Sequence, residues 1–164
     1  MPVRISEEQI AALLAERKPL SADWQSHLTL KLKTGHKERD LEVTGDQGSR
    51  FIVKVRQSIS NPLDFSVILG YRFPGSSQTL RLRRYNGLSH EHTNTLERRS
   101  FYGYHVHMAT ERYQEGDGFR EDHFAEATSD YSSIDEALVR MLMDCGFDAP
   151  GGIYLQGSLF RSEL

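Results

Sequence analysis

From Leu28 to Met108 apolar residues recur at every second position, and that period restricts the fold of this chain more than any other feature. Leu28, Leu30 and Leu32 alternate with Thr29, Lys31 and Lys33; Leu41 and Val43 alternate with Asp40, Glu42 and Thr44. Phe51, Val53 and Val55 follow, then Phe65, Val67, Leu69, Tyr71 and Phe73, then Leu80 and Leu82 between Arg81 and Arg83. A period of two is the strand period, because successive side chains leave opposite faces of the pleat. Turn signals at Thr34-Gly35, Gly45-Asp46-Gln47-Gly48, Asn61-Pro62 and Pro74-Gly75 separate the runs. Short alternating runs joined by short turns predict an antiparallel meander with one buried face and one wetter face. Five to seven strands are expected, the ordinary size of such a sheet.

Helical spacing appears only at the two ends. Ser6 and Gln9 form a capping box, with Ile5 and Ile10 placed as a staple around it, and an apolar stripe follows until Pro19. Ser133 and Glu136 repeat the capping pattern. Ile134, Ala137, Leu138, Met141, Leu142 and Cys145 then fall on one face of a helix that Gly146 stops. The fold class expected is α+β: an antiparallel β-meander with N- and C-terminal helices packed on its apolar face, in one domain spanning residues 1–164. Gln114 to Asp122 reads as a turn, His123 to Thr128 as a last strand, and the tail from Phe147 to Leu164 carries no clear period.

The totals restrict function only broadly. A chain of 164 residues with 38% hydrophobic and 26% charged residues is long enough to bury a core of its own. Its formal net charge of -3 argues against a globally basic coat for nucleic acid and leaves a local patch open. A single cysteine, Cys145, excludes a disulfide framework and a CxxC metal site, and on the apolar stripe of the last helix it reads as a buried hydrophobe. No apolar run approaches a membrane span, and Met1 to Gln9 lacks a signal-peptide core, so the expected location is cytoplasmic, with no membrane partner.

The chemistry concentrates between Arg81 and Tyr113. This stretch holds His90-x-His92, placed in a loop, and His105-x-His107, placed on a strand where both imidazoles leave one face. If the helices cover the apolar face, Lys31, Lys33, Lys54, Arg56, Arg72, Arg81, Arg83, His105 and His107 remain on the other, an open, basic, histidine-bearing surface. Imidazoles exchange protons near neutral pH and guanidiniums grip phosphate, which suits metal-independent cleavage of RNA. In that reading His105, His107, His90 and His92 are the catalytic candidates, and Arg84, Arg81 and Arg83 bind substrate. The polar face of an ordinary sheet explains the same residues without any activity. A third reading is a metal, zinc or iron, held by His90, His92, His105 and His107, with Glu97 or Glu111 adding a carboxylate. His90-x-His92 followed by Glu97 is similar to the HxH-x4-E core of the cupin motif, without its glycine spacing or its later half-motif.

Arg84-Tyr85-Asn86 followed by His90-x-His92 and then His105-x-His107 resembles the RYDN-x-PHH…HHKH pattern of TumE-type toxins from bacterial toxin–antitoxin pairs. The segment around FYGYHVHMATERY is also similar to a family of small uncharacterised bacterial and phage-associated proteins. The likeness to the toxins covers about a fifth of the chain; Gly87 and Leu88 intervene, Ser89 stands for the proline, and the histidines are spaced HxH. The resemblance implies a small α+β toxin of ribonuclease type with no cofactor, with Arg84, His90, His92, His105 and His107 as its site. RNA and a cognate antitoxin would be its partners. A non-enzymatic protein that binds nucleic acid or a protein partner is the alternative from a different class.

Overall fold

The structure, a computed structural model, describes residues 4–115 and 120–157. The chain runs α1 (Glu7–Ala15), β1 (Lys18–Pro19), α2 (Trp24–His27), β2 (Lys31–Leu32), β3 (His36–Thr44), β4 (Arg50–Ser58), β5 (Phe65–Arg72) and β6 (Thr79–Asn86). It continues through β7 (Glu91–Asn94), β8 (Arg99–Tyr102), β9 (His105–Met108), β10 (Ala125–Ala127), α3 (Ile134–Asp144) and β11 (Phe147–Asp148). Seven strands form one sheet in the order β10-β9-β6-β5-β4-β3-β2, every pairing antiparallel. β2 to β6 are the expected meander. β7 and β8 then leave the sheet as a separate hairpin, and β9 returns to pair with β6. β1 and β11 make a short parallel pair. The fold is α+β, and none of the helices is long and apolar enough to cross a membrane among the described residues.

The core lies between the sheet and α3. Phe51, Val53, Val55, Phe65, Val67, Leu69, Leu80, Leu82 and Tyr85 are buried against the helix stripe Ile134, Ala137, Leu138, Met141, Leu142 and Cys145. Ser133 caps α3 by accepting from the Glu136 N–H at 3.2 Å. The Tyr85 hydroxyl donates to Asp144 Oδ2 at 2.8 Å and ties the helix end to β6. α1 keeps its full capping box, with Ile5 and Ile10 both buried. Fully buried Lys18 closes the end of this layer. Its ammonium meets the carbonyls of Leu13 and Leu14 in the last turn of α1, of Glu16 at its C-cap and of Cys145 at the C-cap of α3, at 2.7–3.2 Å. A cation suits the negative end of both helix dipoles. Burial lowers its pKa to about 8, and raises that of the Cys145 thiol to about 11.

Three local expectations change. Trp24–His27 is a helical turn, and Leu28 at its end is buried in the core instead of starting a strand. The wetter face over β3 and β4 is charge-mixed and not basic, because Asp40 and Glu42 alternate onto the same face. Lys54 pairs with Asp40 at 3.9 Å, and Arg72 with Glu42 at 2.7 Å. The last strand is only Ala125–Ala127. The turn expected at Gly116 and Gly118 lies outside the described residues, as does the end of the tail. What precedes that end is pinned by a reciprocal amide pair, Gln25 Nε2 to Gln156 O at 2.9 Å and Gln156 N to Gln25 Oε1 at 2.8 Å.

One irregularity positions the site. Leu69 faces Arg83 across the β5–β6 ladder, but Gly70 faces Arg81, so Leu82 is an extra residue in β6. Such a bulge breaks the alternation and re-aims the side chains on either side of it. Arg81 and Arg84, three apart, therefore share one face, with Arg84 opposite His107 on β9. Arg83 instead falls with Leu69 and Met108 on the α3 side, where its charge acts on Tyr85 and Cys145. The sequence expectation that Arg81 and Arg83 flank the histidines together is thereby corrected to Arg81 and Arg84.

Candidate metal centre

His105 and His107 leave the sheet on the face away from α3, as their spacing requires. That face is not open. The β7–β8 hairpin folds over it and carries His92 down onto the pair, leaving His105 0%, His107 4% and His92 8% exposed. The hairpin is anchored by Asn94, whose side chain acts as a peptide group. Asn94 Oδ1 accepts the Ala125 N–H at 2.9 Å, and Asn94 Nδ2 donates to the Ala125 carbonyl at 2.7 Å. Those groups belong to the outer strand β10, so one amide both completes the sheet edge and fixes the hairpin.

The three rings form a compact group. Their centroids lie 4.7 Å (His92–His107), 5.0 Å (His105–His107) and 5.4 Å (His92–His105) apart. One ring nitrogen from each lies within 4.8 Å of the others. Three nitrogens bound to one zinc at about 2.0–2.1 Å would sit about 3.3 Å apart, so the rings would draw closer around it.

Hydrogen bonds decide which nitrogen each ring presents. His105 Nδ1 donates to the Gly103 carbonyl at 2.8 Å, and His107 Nδ1 to the Asp122 carbonyl at 2.8 Å. The Asn94 amide is oriented by Ala125, so its oxygen is an acceptor and His92 Nε2 must donate to it, at 2.9 Å. Each imidazole thus spends its N–H on a carbonyl oxygen and keeps a lone pair on the other nitrogen: Nδ1 of His92, and Nε2 of His105 and His107. This is the outer-shell pattern that orients histidine ligands of metals. The Asn86 amide, whose oxygen accepts from Ser66 Oγ at 2.9 Å, donates its N–H to His105 Nε2 in a long hydrogen bond of 3.5 Å, which a metal on that nitrogen would displace.

The electrostatics agree with neutral rings. Burial pulls the pKa of all three histidines below the usual value, that of His107 to about 2, and Arg84 presses each further in the same direction. Phe101 packs on His92 and His105, with centroids 5.6 and 5.7 Å away, and supplies an apolar wall.

The other candidates sit around this group. His90 is exposed before β7, with its ring 5.5 Å from His105 and its Nδ1 3.0 Å from Ser89 Oγ. Glu97 lies apart, bound by Arg112 and the Tyr113 hydroxyl, and Glu111 takes no place beside the histidines. Arg84 and Arg81 face Asp122, at 3.2 and 3.6 Å. At the end of β6 glycine is needed at position 87, because a Cβ on Gly87 would lie 1.9 Å from the Leu63 carbonyl oxygen. His123, Asp122 and Asn94 are site residues that sequence reasoning passed over. The His123 ring lies 5.3 Å from His92, and its Nε2 is 3.1 Å from the Thr93 carbonyl. Nothing in the local period marks His123 or Asp122; Asn94 carries a faint signal, standing two residues after His92 on the same strand face. Comparison of the chain with protein-family models, with curated proteins and with solved structures finds no match.

Proposed function

We propose that this protein is a metalloprotein in which His92, His105 and His107 hold a divalent transition ion, zinc or iron, beneath the β7–β8 hairpin. The observation that carries the reading is the tautomer pattern: three converging imidazoles, each with its N–H held by a carbonyl oxygen and its other nitrogen left as a Lewis base. Imidazole suits zinc, iron or copper, and three neutral protein ligands leave a position for water or substrate, as catalytic sites do. The ion would act there as a Lewis acid.

Acid–base cleavage of RNA, the other chemistry expected from the histidines, is supported less well. It needs one imidazole protonated at neutral pH, and burial disfavours the charged form of His92, His105 and His107. It also needs room for a phosphodiester where the hairpin now packs. Purified protein should contain close to one equivalent of zinc or iron by elemental analysis. Chelation should lower its melting temperature, since an ion at a hundred times its Kd stabilises by about 2.7 kcal/mol. His105→Ala and His107→Ala should each abolish stoichiometric metal while remaining folded. Metal-free protein whose melting is indifferent to chelator and to added zinc, iron(II) or cobalt(II) would overturn the reading. RNA cleavage by that metal-free protein would restore the acid–base chemistry.

A further inference from the structure

Next to the histidines lies a second polar group that the metal ligands do not use. Asp122 is fully buried, and three arginines meet its carboxylate: Arg84 Nε at 3.2 Å, Arg81 Nε at 3.6 Å and Arg120 Nε at 3.9 Å. These contacts are ion pairs, and among the described residues both carboxylate oxygens and Arg84 Nε lack a well-directed hydrogen-bond partner. Among the described residues, no hydrogen bond uses the terminal N–H groups of the three guanidiniums. Each guanidinium carries five N–H donors in a planar fork, so the described residues use little of this donor capacity. Glu121, 3.7 Å from Arg81, is the other carboxylate paired with them, so among the described residues three cations face two anions.

The two groups are one assembly. Asp122 holds the arginines with its side chain and orients His107 with its own carbonyl, and Arg84 stands opposite His107 in the β6–β9 ladder. A divalent ion on three neutral imidazoles brings two positive charges with no counter-charge among its own ligands. Such a site is completed by an anion, and a fork beside a cation matches one with two oxygens. The Arg120 and Arg81 side chains are 52% and 31% exposed, so this side of the group meets solvent.

We propose that the metal centre takes an oxyanion, a phosphoryl or carboxylate group of its substrate, with one oxygen on the ion and another on Arg84, flanked by Arg81 and Arg120. This rests on the metal reading above. Cobalt(II)-loaded protein tests it, because an anion entering the coordination sphere changes the visible spectrum. Inorganic phosphate or acetate should bind saturably; tighter phosphate assigns the phosphoryl class and tighter acetate the carboxylate class. Arg84→Met should weaken that binding at least tenfold while cobalt uptake stays stoichiometric. Arg120→Met, at a half-exposed position, should weaken it several-fold, and keeps the test open if Arg84→Met fails to fold. Stoichiometric cobalt with a spectrum indifferent to both anions, or undiminished anion binding in both variants, overturns the oxyanion and leaves the metal standing. No cobalt uptake at all overturns both.

Discussion

Replacing Asn94 with alanine separates the arrangement proposed for this site from a cluster of merely buried histidines. The residue is 5% exposed and makes three hydrogen bonds with good geometry, two to Ala125 and one to His92. At roughly 0.5–1.5 kcal/mol net for each bond, their loss should cost about 2–4 kcal/mol, since the Ala125 groups and the His92 N–H are left short of partners. The same change frees the His92 ring and its tautomer. Loss of an outer-shell partner typically costs about 10–100-fold in metal affinity. Urea denaturation of the metal-free protein reads the first quantity, and competition for zinc against a chromophoric chelator reads the second. Asn94→Asp is the control. It keeps an acceptor for His92 but sets a carboxylate oxygen against the Ala125 carbonyl, so it should lose stability yet hold zinc more tightly than Asn94→Ala. Wild-type zinc affinity in Asn94→Ala, together with a stability loss below about 0.5 kcal/mol, would refute both the anchoring of the hairpin and the tautomer argument.

Other perturbations address the frame around the site. Leu138→Ala empties a fully buried position under the sheet and should destabilise by about 2–5 kcal/mol in chemical denaturation. Gly87→Ala would press a methyl into the Leu63 carbonyl and should destabilise by more than the about 1 kcal/mol typical of point substitutions. Lys18 gives a pH signature. Burial lowers its folded pKa from 10.5 to about 8, so between those values the unfolded chain binds more protons. The cost of burying the ammonium is fully present below pH 8 and is relieved as pH rises towards 10.5. Stability of the wild type relative to Lys18→Met should therefore rise across that window; a flat or falling difference would contradict the burial of a charged lysine. Taking the difference largely removes the opposing contribution of Cys145, whose raised thiol pKa lowers stability above pH 9 in both proteins.

Much of the frame was legible residue by residue. Phe51, Val53 and Val55, then Phe65, Val67 and Leu69, announce strands because a half-buried pleat needs one apolar side chain in two, and neighbouring strands joined by short turns pair antiparallel. Ile134 to Cys145 announces its helix for the same reason at a period of 3.6, and the helix covers the sheet as that stripe demands. The HxH spacing alone put His105 and His107 on a common face. Alternation reports which side chains share a face, however, and not what comes to cover it. Arg83 and Arg84 exchanged faces through a bulge at Leu82, an extra residue visible only in the register against β5. The short alternation of Glu91 to Asn94 did not distinguish a strand from a loop. It becomes the lid of the site because Asn94 finds Ala125, 31 residues further along the chain. His123, Asp122 and the gathering of three imidazoles depend on long-range contacts of that kind, between residues whose neighbours in sequence carry no trace of them. A side-chain hydrogen bond that closes a loop of thirty residues leaves no local period, so the tertiary structure alone turned a pair of histidines on a wet face into a buried cluster of three.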